Sequence, residues 1–187
     1  MGYKHMWYNL WHGDGTQWVD IDFPLELRAT GANRPIATTL VGNILAPAWA
    51  VGDNLELEDQ EIIHGYMEGS DIIWHVHLAT NGVDTTDRYV KWRVTWAWAN
   101  ANSPISEQIV TESPDILIPA NTPDRTHLPR NIATISLPEL QIGAHIWARL
   151  DRIASAGTAP TGNVFCSALQ LHVECDSTGS RLVTTKF

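Results

Sequence analysis

Residues 71–100 constrain the fold more than any other stretch. They read DIIWHVHLAT, then NGVDTTD, then RYVKWRVTWAWAN. Two strongly alternating apolar segments flank a turn-rich connection, the signature of adjacent β-strands. In the first, Ile72, Trp74, Val76 and Leu78 share one face, and Ile73, His75 and His77 share the other. In the second, Val90, Trp92, Val94, Trp96 and Trp98 oppose Tyr89, Lys91, Arg93 and Thr95. Side chains alternate across a strand, so each segment buries one face and leaves the other more polar. The connection opens with Asn81-Gly82, a strong reverse-turn dipeptide. The two segments are expected to pair as the core hairpin of an all-β domain.

The remaining segments extend this pattern. Residues 18–27 (WVDIDFPLEL) alternate apart from Pro24, which suggests a bulge or an edge strand. Asp20 and Asp22 there form a D-x-D pair on the Trp18 face. The other ligands of a calcium loop are missing, so solvent-facing strand carboxylates are the plainer expectation. Short strands are predicted within 39–51, 55–67 and 132–140, and over 145–154 and 165–176. On the last, Phe165, Leu169, Leu171 and Val173 are expected to face inward. Residues 101–131 are Pro-rich and polar and predict a long loop with a short strand. About eight strands with almost no helix predict an antiparallel β-sandwich, jelly-roll-like. Residues 1–17 form an irregular N-terminal arm ahead of one domain over 18–187. Trp7, Tyr8 and Trp11 on the arm are interface candidates, as are Trp96 and Trp98.

Charge and cysteines narrow the role. The net charge of −9, from 12 basic and 21 acidic residues among 187, argues against a nucleic-acid or anionic-membrane partner. The start of the chain has no long apolar segment of a signal peptide, so no secretory route is expected. Cys166 and Cys175 fall on one predicted strand. Nine residues of strand span about 30 Å, too far for a disulfide. Their odd spacing places them on opposite faces. They are expected to be buried thiols in a reducing cytoplasm.

His75-Val76-His77 is the sharpest local constellation. Two histidines at i and i+2 share a strand face and can both bind a metal through imidazole nitrogen. Gly69 precedes them at the spacing of a cupin first motif, G-x5-H-x-H. The glutamate of that motif is absent, and only His127 and Asn131 echo the second motif. The sequence identifies no third ligand, so hydrogen-bonded histidines are the plainer reading and no cofactor is assigned. Glu56, Glu58, Asp59 and Glu61 invite a glycosidase comparison, but sequence cannot measure their separation. No nucleophile elbow, P-loop, dinucleotide fingerprint or H-E-x-x-H occurs, and nothing points to an enzyme.

Four motifs occur in order: W-x-D-I-x-F-P at 18–24, W-H-V-H at 74–77, W-A-W-A-N at 96–100, and H-x-E-x-D-x-x-G-S-R at 172–181. Together they resemble a family of small virion structural proteins of tailed bacteriophages, head-decoration or tail-associated. The resemblance implies a jelly-roll-like fold, no active site, and work done through protein interfaces. The expected product is a virion component made in the host bacterial cytoplasm, a capsid cement or spike. A homotrimer contacting the major capsid protein or other virion proteins is the expected form. A neck or tail appendage that binds host surface glycans or a receptor is the alternative. A cupin-like metal-binding enzyme centred on His75 and His77 is a third.

Overall fold

In a computed structural model, residues 17–25 and 33–176 are described, and they contain twelve β-strands and no helix. The strands are β1 (Gln17–Phe23), β2 (Ile36–Val41), β3 (Ile44–Trp49), β4 (Asn54–Glu56), β5 (Gln60–Glu61) and β6 (Ile72–Ala79). They continue with β7 (Arg88–Ala99), β8 (Ile109–Glu112), β9 (Ile116–Ile118), β10 (His127–Ile135), β11 (His145–Ile153) and β12 (Val164–Cys175). The arm residues Trp7, Tyr8 and Trp11 lie outside the described residues.

All pairings are antiparallel and make two sheets. The first runs β10-β6-β12. The far edge of β12 carries β1 along one half and β3 along the other, and β2 lies beyond β3. The second runs β4-β11-β7-β8, with β5 also on β11 and β9 also on β7. The broken pairs β4/β5 and β8/β9 each occupy one strand position. Eight positions then nest so that the first pairs the last, the second the seventh, the third the sixth and the fourth the fifth, with the chain changing sheets at every step except between the fourth and fifth. That nesting is the double Greek key of a jelly roll. The β2–β3 hairpin is an insertion. The expectation of about eight strands therefore matches the eight positions, and the additional segments are the two breaks and this hairpin.

The expected β6–β7 hairpin does not form. β6 pairs with β10 and β12, while β7 pairs with β11, β8 and β9. Residues 80–87 cross from one sheet to the other. Alternation specifies a buried face but not a hydrogen-bonded neighbour, and two facing sheets satisfy it as well as one hairpin. The two apolar stripes meet across the core. Trp74 and Trp96 pack edge to face at 6.0 Å, Trp49 and Trp92 at 5.2 Å, and Phe23 lies 5.0 Å from Trp74.

Two smaller expectations are corrected on β12. A bulge between Cys166 and Ala168 shifts the register against β6. The shift turns Cys166 inward beside Leu78, so both cysteines are buried on the core side and not on opposite faces. Phe165 points the other way, into a separate cluster with Ala46 and Ala48. β10 covers residues placed in a loop from sequence, despite Pro129. It is an edge strand, where the missing N–H of proline removes no obligatory ladder bond.

Candidate functional site

The outer face of the first sheet gathers four histidines. Register fixes the layout. Asp20 on β1 lies opposite His172 on β12, and Asp22 opposite Gln170. Gln170 in turn lies opposite His75 on β6, which faces Asn131 on β10. Because these residues alternate with core residues such as Ile21, Leu171 and Trp74, the same pattern that fills the core brings the polar set together.

The imidazoles form a continuous chain. His172 Nε2 is 3.1 Å from His75 Nε2, and His75 Nε2 is 3.0 Å from His77 Nε2. His77 Nδ1 is 2.8 Å from His127 Nε2. The His75 and His172 rings lie 3.8 Å apart between centroids, and those of His77 and His127 stack at 5.0 Å. Asp20 Oδ1 is 3.1 Å from His172 Nε2. Gln170 Oε1 is 2.7 Å from His77 Nε2, while the Gln170 amide nitrogen donates to Asp22. Trp18 sets its edge against His172 at 6.3 Å.

His75 is the centre of this arrangement and is only 3% exposed. Burial pushes its pKa down from 6.5 to about 4, helped by the neighbouring His172 charge and opposed by Asp20. The ring is therefore neutral near pH 7. Its Nδ1 is buried without a hydrogen-bond partner.

The sheet thus gives His75 two donors that the sequence did not pair with it, and leaves His77, the other candidate ligand, outside the set. Asp20, His75 and His172 place one ligand atom each within 4.8 Å of one another. Asp20, expected to be an ordinary solvent-facing carboxylate, is one of them. His172 stood within a recognised motif, but nothing in the sequence tied it to His75, 97 positions away. His127, noted for its spacing, extends the chain at the His77 end. An apolar pocket of about 430 Å³ adjoins that end, between the β2–β3 hairpin and the sheet, and includes His127, Leu40 and Phe165.

Other candidates separate. Glu56 faces Arg149, Asp59 faces His145 and Glu61 faces His64, so these carboxylates are engaged with different basic groups. Trp96, an interface candidate from sequence, is a core residue instead; its indole N–H donates to Thr111 Oγ1. Trp98 is half-buried against the core. Trp147 is 37% exposed and lines an open groove of about 520 Å³ on the second sheet with Glu56, Arg93, Arg149 and Asp151.

No protein-family model matches the chain. No curated protein sequence matches it either. Among solved structures, the chain is similar to one titled as the infectious bursal disease virus Gx strain. Identity is 12%, with a TM-score of 0.41, over 91% of this chain and 34% of that one. It is also similar to the infectious bursal disease virus VP2 subviral particle, at 12% identity and a TM-score of 0.41, over 92% of this chain and 36% of that one. The chain spans about a third of the length of these structural neighbours.

Proposed function

We propose that this chain is a non-catalytic virion structural protein that works through protein–protein interfaces, most specifically a bacteriophage capsid decoration or spike protein. The observation that carries the reading is the β2–β3 hairpin. It turns at Gly42-Asn43, with Gly42 at φ 54, and directs Ile36, Val41, Ile44 and Leu45 into solvent at 59–71% exposure. Burying such a side chain stabilises an interface by about 1.5–3 kcal/mol. Among the described residues β2 is also the outer strand of its sheet, and Arg125 caps its Thr39 and Leu40 carbonyls, so the remaining backbone groups of that edge can pair with a partner. An edge hairpin that exposes several large apolar side chains favours association.

Closed cyclic symmetry lets one such patch be satisfied repeatedly, and a homotrimer seated on the major capsid protein or another virion protein is the assembly that follows. The motif resemblance to phage virion proteins supports the same setting, with synthesis in the host bacterial cytoplasm. Light scattering across a concentration series and immunogold labelling of purified particles test it. A trimer that dissociates in an Ile44→Asp, Leu45→Asp variant, and label on particles, are the expected results. A monomer at every concentration, together with absence from particles, would sink the reading.

A second role, binding host glycans from a neck or tail appendage, is favoured by Trp147. Its exposed ring lies beside Glu56, Arg149 and Asp151, which is the combination of stacking face and hydrogen-bonding groups that sugars require. A glycan array probed with the native chain and with Trp147→Ala tests this role. Binding that Trp147→Ala abolishes supports it, and no binding removes it.

A further inference from the structure

We propose that Asp20, His75 and His172 bind one divalent transition-metal ion of the zinc class, on the outer face of the first sheet. This goes beyond the assembly role and is independent of it.

Three observations converge. The first is donor geometry. Two imidazole nitrogens on a tetrahedral zinc ion, at about 2.0–2.1 Å from it, lie about 3.3 Å apart. His75 Nε2 and His172 Nε2 are 3.1 Å apart, and Asp20 Oδ1 is 3.1 Å from His172 Nε2. The three come from β6, β12 and β1, which are neighbours in the sheet, so the backbone ladders already hold the donors in place.

The second is proton counting. Four contacts must be shared among the Nε2 atoms of three histidines: His75 to His77, His75 to His172, His77 to Gln170, and His172 to Asp20. Each Nε2 carries at most one proton. If His77 donates to Gln170 and His172 to Asp20, neither Nε2 keeps a lone pair for a His75 proton, and an unprotonated His75 Nε2 receives no proton of its own. If all three carry protons, N–H faces N–H. The unpartnered Nδ1 of buried His75 shows that the other ring nitrogen does not relieve the conflict. A metal ion in place of the His75 and His172 Nε2 protons does, because both lone pairs then face a cation.

The third is a supporting shell. Asp22 fixes the Gln170 amide, which orients His77, whose Nε2 is 3.0 Å from His75 Nε2. This arrangement packs His77 beside the site, and its contact with His75 Nε2 gives way when the ion takes the His75 lone pair. Trp18 covers one side of His172. Two imidazoles and one carboxylate select zinc-class ions over magnesium and calcium, which prefer oxygen donors. The bound ion cross-links three strands and fastens β1 to the sheet.

The test uses the full-length, untagged chain, stripped with chelator and titrated with Zn(II) by calorimetry and with Co(II) by visible absorption. The expected result is one ion per chain, a tetrahedral-type Co(II) band, and a melting temperature that rises with Zn(II). His172→Ala and Asp20→Asn, both at solvent-accessible positions, are expected to remain folded by circular dichroism and to weaken binding at least about tenfold. His145→Gln, at a histidine remote from the site, is expected to bind as the native chain does. Absence of stoichiometric binding overturns the proposal, as does binding that folded His172→Ala and Asp20→Asn leave unchanged.

Discussion

Trp74 of β6 and Trp96 of β7 meet edge to face at 6.0 Å, with an interplanar angle of 67°, across the interior of the sandwich. The two strands are nearly consecutive in the chain yet lie in opposite sheets. This contact converts two alternating apolar stripes into one core. Trp96→Ala is expected to destabilise the fold by about 3–5 kcal/mol, because a cavity remains where the indole stood. Trp147→Ala, at an exposed ring, is expected to change stability by less than about 0.5 kcal/mol. Urea denaturation of both variants checks the contrast, and equal losses would contradict the placement of Trp96 in the core.

The crossing connection is held down by a close backbone approach. A Cβ on Gly162 would sit 2.0 Å from the carbonyl oxygen of Asn81, and Asn81 Nδ2 donates to the Asn163 carbonyl at 2.9 Å. The obstacle is backbone, so no side-chain rotation relieves it. Gly162→Ala is expected to cost about 1–3 kcal/mol, as other overpacked sites do. Asn81→Ala, which removes side-chain hydrogen bonds but creates no clash, is expected to cost about 1 kcal/mol. Thermal melts of the two variants rank them, and the reverse order would remove this account.

Arg125 ties the inserted hairpin to the body. Its Nε donates to the Leu40 carbonyl at 2.7 Å, its Nη1 to Asn81 Oδ1 at 2.7 Å, and its guanidinium lies 4.7 Å from the Phe165 ring centroid. The residue adopts φ 61, a left-handed backbone that glycine takes without strain. Arg125→Ala is expected to lose about 2–3 kcal/mol, from a charged hydrogen-bond set. It is also expected to speed amide exchange on β2 and β3 ahead of the rest of the sheet. Arg125→Gly loses the same contacts but not the backbone compatibility, so it is expected to be less damaging than alanine. Hydrogen exchange with mass spectrometry checks both statements.

His75 gives the chelator-treated protein a defined acid sensitivity. The groups that face it are His77 on its own strand, His172 and Gln170 on β12, and Asp20 on β1, with Asn131 opposite it on β10. Its pKa is 6.5 when unperturbed and about 4 in the fold, so between those values the unfolded chain binds a proton that the folded chain refuses. Stability therefore falls as pH drops through 6.5 toward 4, by at most about 3 kcal/mol for the whole shift. In His75→Gln this component of the pH dependence is expected to disappear. Denaturant midpoints at pH 7, 6, 5 and 4 measure it, and parallel curves for the two proteins would refute it.

The H-x-H pair illustrates what could be read from sequence at the site. Its two histidines are close in sequence, so period-two alternation puts them on one face without further information. Asp20, His172 and His127 come from strands distant in the chain. Their approach depends on β1 and β6 both pairing with β12, and on β10 pairing with β6. No local pattern encodes which strand lies beside which. The misassigned faces of Phe165 and Cys166 have a similar origin, since one bulged residue reverses every facing prediction upstream of it.

Local chemistry in the sequence determined that residues 71–100 form two strands, each with a tryptophan-bearing buried face. Short-range sterics and the alternation of side chains are enough for that. Only the tertiary structure decided that these strands face each other across the core, and that His75 lies beside His172 and Asp20. Strand pairing is fixed by the packing of both sheets together, an energy to which residues far apart contribute and which no single segment contains.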